Sequence, residues 1–130
     1  MIALDTNVVV RLLTADHPRQ TARARALVES GPVFLAKTVM LESEWVLRSG
    51  YGFGDGVIAA AFRGLLGLPN VVVEDSYAMA QALDWHEQGL DFADALHLAS
   101  SGPAESFASF DRTFARRAKG LEETPPILEP

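Results

Sequence analysis

Acidic residues follow two apolar runs of the chain, at the points where those runs stop. The run 2–4 ends at Asp5, and the run 106–110 ends at Asp111. Short apolar runs of this kind are typical of buried strands in a parallel sheet. Each acid would then lie at the carboxyl edge of the sheet, where open α/β sheets bind ligands. Each acid also precedes a helical segment, so a plain helix-capping role stays open for both.

Two glutamates lie two residues apart in an apolar helical segment, and their neighbours differ. Glu44 has Arg48 four residues later, the favourable orientation for a surface ion pair. Glu42 has no such partner in the helix. Its neighbours one turn away are all apolar: Val39, Trp45 and Val46. An unpaired carboxylate in such surroundings costs free energy unless another part of the fold compensates it, and a cation would do so. Glu42 is therefore the candidate for chemistry, and a position at the rim of the apolar face is the alternative.

A further pair, Asp91 and Asp94, falls in the first turn of a later helix. Acids there interact favourably with the helix dipole, which by itself accounts for both residues. The residues after Asp94 are mostly apolar, so this helix is expected to be well packed, and Asp94 could join Asp5 and Asp111 at the sheet edge. His97, one turn later, is interpreted as a rim or packing residue rather than a ligand.

Four carboxylates meeting at one edge (Asp5, Glu42, Asp94 and Asp111) would repel one another and raise one another's proton affinity. Such a cluster stays ionised at neutral pH when a cation lies within it. The chain has no cysteine, and no pair of histidines accompanies the acids, so the donors are oxygen atoms. This set favours Mg²⁺ or Mn²⁺ over Zn²⁺. Such ions suit phosphodiester hydrolysis, because one ion can generate hydroxide while it or a second stabilises the leaving oxygen.

Composition bounds the kind of protein. The 130 residues, 48% of them hydrophobic, suffice for one domain with its own core. The lack of cysteine excludes disulfides, thiolate metal sites and cysteine nucleophiles, and fits a reducing cytoplasm. No apolar run approaches the roughly 20 residues of a membrane span, and the N-terminus lacks a signal-peptide pattern. We expect one cytoplasmic domain over residues 1–130 with no membrane association.

The net charge of −6 argues against tight nucleic-acid binding through electrostatics alone. The basic residues nevertheless fall into two clusters, one early (Arg11, Arg19, Arg23, Arg25) and one late (Arg112, Arg116, Arg117, Lys119). They could be solvated helix faces or two sides of a groove for an anionic substrate. In the second case Arg11, Arg112 and Arg116 are the candidate substrate-binding residues. A metal ion with flanking arginines would let an acidic protein hold a phosphate.

Strands that alternate with helices must position these residues. Further strands are predicted at 33–36 and 71–73, with a short edge strand at 125–128. Helices are predicted at 8–13, 19–29, 38–49, 57–66, 77–88, 91–100 and 112–119, with Thr38 capping the third and Gly89 ending the fifth. This order implies right-handed βαβ units. The predicted fold class is α/β, a three-layer α/β/α sandwich with a central parallel sheet of four to five strands.

Four segments together resemble a PIN-domain ribonuclease, and more narrowly a VapC-type toxin of a type II toxin–antitoxin system. They are residues 4–7 (Leu-Asp-Thr-Asn), 41–47 (Leu-Glu-Ser-Glu-Trp-Val-Leu), 91–96 (Asp-Phe-Ala-Asp-Ala-Leu) and 109–111 (Ser-Phe-Asp). The resemblance covers nearly the whole chain, and the compact length is similar to that of free-standing toxins of this family.

Carried over by position, the resemblance implies a catalytic, metal-binding acidic quartet: Asp5, Glu42, Asp94 and Asp111. Two of these, Asp5 and Asp94, match the most direct metal ligands. Small polar residues that support the site are matched by Thr6, Asn7 and Ser109, and Asp91 accompanies the motif. The resemblance further implies Mg²⁺- or Mn²⁺-dependent RNA cleavage, a homodimer, and inhibition by a cognate VapB-type antitoxin that inserts a basic segment toward the acids.

Other functions fit fewer residues. A phosphatase of the haloacid dehalogenase type needs a second aspartate two residues after the first, and that position holds Asn7. A response-regulator receiver domain needs an acidic pair near the first strand, where Asp5 stands alone. Two alternatives within the family stay open: a PIN nuclease of RNA processing outside a toxin–antitoxin system, and a non-catalytic PIN domain that binds RNA or protein.

Overall fold

The structure, a computed structural model, describes all 130 residues, which divide into two compact units, Met1–Ser76 and Tyr77–Pro130. The strands of the first unit are β1 (Ile2–Ala3), β2 (Val33–Leu35) and β3 (Val71–Val73). Its helices are α1 (Thr6–Thr14), α2 (Pro18–Ser30), α3 (Lys37–Trp45) and α4 (Asp55–Leu66), with a π-helical turn at Val46–Gly50. The remaining elements are α5 (Ser76–Glu87), α6 (Phe92–Ala99), β4 (Phe107–Ala108), α7 (Arg112–Lys119) and β5 (Ile127–Leu128).

All strand pairs are parallel. In the first unit the order is β1-β2-β3, and in the second unit β4 pairs with β5. The central strand β2 has both Val33 and Leu35 fully buried, as its apolar sequence predicts. The predicted α/β class and parallel pairing are confirmed, with five strands divided between a three-stranded and a two-stranded sheet.

Helices begin at the carboxyl edge of the first unit's sheet. α1 follows β1, and α3 follows β2. α1 packs against α2 and α3, while α4 packs against β3. These helices carry fully buried apolar side chains: Val9, Met40 and Phe62. Burial of a side chain of this size stabilises the fold by about 1.5–3 kcal/mol. The helices α1 and α3, which carry candidate residues, are thereby held in place.

For six of the seven predicted helices, both ends lie within two residues of the observed ends. Gly89 follows α5 with a φ of 108°, at the position where a glycine was predicted to end the helix. Two details of the other helix, 38–49, were wrong. Thr38 is not a cap, because α3 begins one residue earlier with Ala36 as its N-cap. The backbone also leaves the α conformation after Trp45 and forms the π-helical turn, a feature often found at functional sites. No helix of the chain has the length and apolar character needed to span a bilayer.

Candidate active site

Asp5 lies between β1 and α1, at the carboxyl edge of the first unit's sheet. It occupies the N-cap position of α1 with an extended backbone (φ −81°, ψ 162°), but its side chain makes no capping hydrogen bond. An N-cap aspartate usually accepts a bond from a free N–H of the first turn. The capping role left open for Asp5 is therefore not realised, and its exposed carboxylate is available to a ligand.

A hydrogen bond from Thr6 Oγ1 to Glu42 Oε1 links α1 to α3. Thr6 is buried at the first position of α1, and Glu42 is exposed on α3. The bond therefore holds one carboxylate oxygen of Glu42 beside the residue that follows Asp5. Asn7, the next residue of α1, is exposed. The sequence indicated that a group outside the helix must compensate Glu42, and in the structure its carboxylate is exposed to solvent and accepts the Thr6 hydroxyl.

Glu44 has a different environment from Glu42. It accepts hydrogen bonds from Arg48 Nε at 2.9 Å and Arg48 Nη2 at 3.4 Å, so the predicted ion pair is confirmed. Its predicted surface location was wrong: the Glu44 side chain is 3% exposed and the Arg48 side chain 43%. The helix phase buries Met40, Ser43 and Glu44 together. Glu44 therefore serves the fold.

Three aspartates of the second unit interact through their charges. Partial burial raises the pKa of Asp94 above its usual range, the negative charges of Asp91 and Asp111 raise it further, and His97 opposes the shift. Asp94 lies in the first turn of α6, and Asp111 directly precedes α7. The second unit thus brings together two of the four predicted metal ligands, and the mutual repulsion expected from the sequence acts on Asp94.

Asp91 and Asp111 are both helix caps. Asp91 Oδ2 accepts from the backbone N–H of Asp94 at 3.1 Å, and Asp111 Oδ1 accepts from that of Phe114 at 3.0 Å. The capping role left open for Asp111 is thus observed, but the bond occupies one oxygen and leaves the other for a ligand. Ser109 Oγ accepts from the N–H of Asp111 at 3.0 Å. Ser109 thereby holds the turn that carries this carboxylate.

The three candidate substrate-binding arginines differ in how many hydrogen bonds they make to other side chains. Arg11 donates to three side chains: Asp16, Gln20 and Tyr51. Arg112 donates twice to Glu129, and Arg116 is exposed on α7. Tyr51, which the sequence did not single out, also donates to Asp16 at 2.8 Å and is the main cause of the lowered pKa of that carboxyl. No local pattern could have revealed this contact, because the two residues are 35 positions apart.

The donor atoms suit a hard cation. The four predicted ligands all offer carboxylate oxygens, the donors that Mg²⁺ and Mn²⁺ prefer. The repulsion that raises the pKa of Asp94 is the kind of interaction that a dication relieves. Within neither unit do three or more acidic or histidine side chains form a metal-binding group by themselves. The assembly of the full quartet around one ion stays a prediction.

Comparisons with known proteins give the family. The PIN domain family matches residues 2–120 of the chain. Among solved structures the chain is similar to Mycobacterium tuberculosis VapC20, described as a toxin that cleaves the sarcin–ricin loop. The two sequences are 26% identical, the match covers 97% of this chain and 100% of that chain, and the TM-score is 0.44. No curated protein matches the sequence. The family match spans all four segments that carry the resemblance, and the chain belongs to the PIN domain family, a family of nucleases.

Proposed function

We propose that this protein is a metal-dependent endoribonuclease and the toxic component of a type II toxin–antitoxin pair. Its site would be formed by Asp5, Glu42, Asp94 and Asp111. Membership of the PIN family supports the reaction class. The observation that carries the proposal is the carboxylate of Asp5, which occupies an N-cap position at the carboxyl edge of a parallel sheet and yet makes no capping bond.

Each residue has a distinct task in this proposal. Asp5 and Asp94 would bind the ion directly, with Glu42 and Asp111 completing the quartet. Thr6 fixes the orientation of Glu42, as its hydrogen bond indicates. When bound, Mg²⁺ or Mn²⁺ supplies an activated water and neutralises charge on the phosphate. Ser109 restrains the backbone before α7 through its bond to the Asp111 N–H, and Asn7 borders the same sheet edge as Asp5.

The biological partners follow from the same resemblance. The substrate would be single-stranded or structured RNA, and the active form a homodimer in the cytoplasm. A cognate VapB-type antitoxin would insert a basic segment toward the acids. Because this protein has a net charge of −6, a basic inhibitor is favoured over an acidic one. Of the candidate substrate-binding arginines, Arg116 is the most open to a phosphate, because Arg11 and Arg112 are already bound to carboxylates.

Asparagine variants test the reaction. Asp5→Asn and Asp94→Asn should each lower Mg²⁺- or Mn²⁺-dependent cleavage of a labelled RNA by at least about 100-fold, a loss typical of a removed charge-stabilising group. Glu29→Gln is the matched control, because it removes one exposed carboxylate that lies near the end of α2 and is not one of the proposed ligands. Circular dichroism should show that all three variants remain folded. Undiminished cleavage by either asparagine variant would contradict the assignment.

Growth assays test the biological context. Expression of the parent chain should arrest bacterial growth, expression of Asp5→Asn should not, and co-expression of the adjacent small reading frame should restore growth. Cleavage without toxicity would favour a nuclease of RNA processing. A folded protein that binds RNA but cleaves none in either metal would favour the non-catalytic alternative.

A further inference from the structure

Trp45 is a large aromatic side chain left open on α3. It is 59% exposed, whereas the other tryptophan, Trp85, is 3% exposed and donates its indole N–H to the Glu122 carbonyl at 3.0 Å. Tryptophan side chains are highly buried on average in folded proteins. The sequence suggested only that Trp45 is an apolar neighbour of Glu42, so its exposure is a finding of the structure.

Trp45 shares the open face of α3 with Glu42. Thr38, Glu42 and Trp45 are all exposed and follow one another at intervals of four and three residues. Side chains at such intervals lie on the same side of a helix, with Cβ atoms about 5–6 Å apart. The opposite side of α3 is buried, and it carries Met40 and Ser43. The indole therefore stands one helical turn from a carboxylate that Thr6 holds in place.

The charges of this neighbourhood select the kind of group that the indole can bind. The carboxylates of Glu42 and Asp5 repel a phosphate wherever no cation lies between them. A nucleobase is uncharged, so it can approach the ring without this repulsion. Aromatic side chains bind unpaired bases by stacking, which tolerates any sequence because every base has a π-face.

We propose that Trp45 is a stacking platform for a nucleobase of single-stranded RNA. The inference deepens the proposed function, on which it rests for the identity of the polymer. Stacked bases rise about 3.4 Å per nucleotide along a strand. A ring one helical turn from Glu42 would therefore hold a base one or two nucleotides from a phosphate held at the metal ion that Glu42 helps to bind. Trp45 fixes the strand, and the acids act on the phosphate.

Tryptophan fluorescence tests this contact separately from cleavage. Because Trp85 is buried, a change in emission on adding RNA reports on Trp45. The probe is a short unstructured RNA mixed with the full-length Asp5→Asn protein in Mg²⁺, and a gel verifies that the RNA stays intact. We expect quenching by this RNA and little quenching by a duplex or by an oligonucleotide with abasic sites.

Two substitutions at the same position separate stacking from simple apolar contact. Trp45→Leu keeps an apolar side chain without a π-face, and Trp45→Phe keeps an aromatic ring. Binding, measured with a labelled RNA, should weaken roughly 5- to 150-fold in the leucine variant and much less in the phenylalanine variant. In the cleavage assay with otherwise parental protein, Trp45→Leu should raise KM by a similar factor and leave kcat nearly unchanged.

The outcomes distinguish this inference from the proposed function. Base-dependent quenching by a protein that never cleaves RNA would support stacking and contradict the nuclease. Cleavage by the parent with no quenching, with equal quenching by abasic RNA, or with a parental KM in Trp45→Leu would overturn stacking alone. Emission that shifts with protein concentration before RNA is added, together with weaker self-association of Trp45→Leu, would show that a second copy covers the ring and would also overturn it.

Discussion

The two glutamates of α3 allow a matched test of which acid serves the fold and which serves the site. Each replacement by glutamine removes one charge and keeps the side-chain shape. Glu44 is buried and accepts two hydrogen bonds from Arg48, so we expect Glu44→Gln to lower the free energy of unfolding. Breaking a fully buried ion pair costs about 3–5 kcal/mol. Here Arg48 is 43% exposed and can turn to water, and glutamine can still accept one bond, so the expected loss is about 1–2 kcal/mol.

Glu42→Gln should show the opposite behaviour. Its carboxylate is exposed, and a glutamine oxygen can still accept the Thr6 hydroxyl. The free energy of unfolding should therefore change by no more than about 0.5 kcal/mol. Cleavage of RNA should fall on the order of 100-fold, because a group that stabilises charge in the reaction has been neutralised.

Stability and cleavage activity should be measured on the same protein preparations. Urea unfolding in EDTA gives stability without any contribution from metal binding, and cleavage of a labelled RNA in Mg²⁺ gives activity. For a chain of this length, a loss of 1–2 kcal/mol lowers Tm by about 3–8 °C. A stable but inactive Glu44→Gln, or an active but destabilised Glu42→Gln, would refute the division of roles between the two acids.

Three further predictions concern stability in EDTA. The pKa of Asp94 is raised in the folded state, so the folded protein holds that proton more tightly than the unfolded chain, and the resulting stabilisation is lost as the pH rises through the raised value. Asp94→Asn should therefore unfold at a higher urea concentration than the parent at neutral pH. This difference in stability should vanish below pH 3.8, the usual pKa of an aspartate. An identical pH dependence of the two urea midpoints would contradict the prediction. Ser43 has a buried hydroxyl without a hydrogen-bond partner, so Ser43→Ala should raise the free energy of unfolding by about 1 kcal/mol, and a clear loss in urea unfolding would count against this. Asp111→Ala should lower the free energy of unfolding by about 0.5–2 kcal/mol, because it removes the capping bond to the Phe114 N–H. Asp5→Ala should change the free energy of unfolding little. Comparison of the two urea midpoints decides whether Asp5 is a cap.

Local sequence predicted those features that depend on neighbours along the chain. Apolar runs marked the strands, and Gly89 marked the end of α5. The spacing of Glu44 and Arg48 predicted their ion pair. The side of α3 that is buried did not follow from this spacing, because it is set by the packing of α1 against α3. The Thr6–Glu42 bond was beyond local reasoning for the same reason, since 36 residues separate its partners.

The candidate ligands could be located from the sequence more readily than their roles. Asp5 and Asp111 have the same local pattern, an apolar run followed by an acid and a helix, and a cap was an open interpretation for both. The structure separates them, because only Asp111 makes the capping bond. What differs is the start of the helix that follows each acid, and a pattern of residue types does not specify how that start is hydrogen-bonded.

The start of α1 shows how Asp5 is left free for a ligand. The backbone carbonyl of Asp5 accepts from the N–H groups of Val8 at 3.0 Å and Val9 at 3.2 Å, so the first turn closes on the main chain. The neighbouring hydroxyl, that of Thr6, is directed to Glu42. A missing cap forgoes about 1 kcal/mol, while an anion at a helix N-terminus still gains from the dipole. An aspartate in this position contributes little to folding through hydrogen bonds, and its replacement should therefore change the chemistry of the sheet edge without changing the fold.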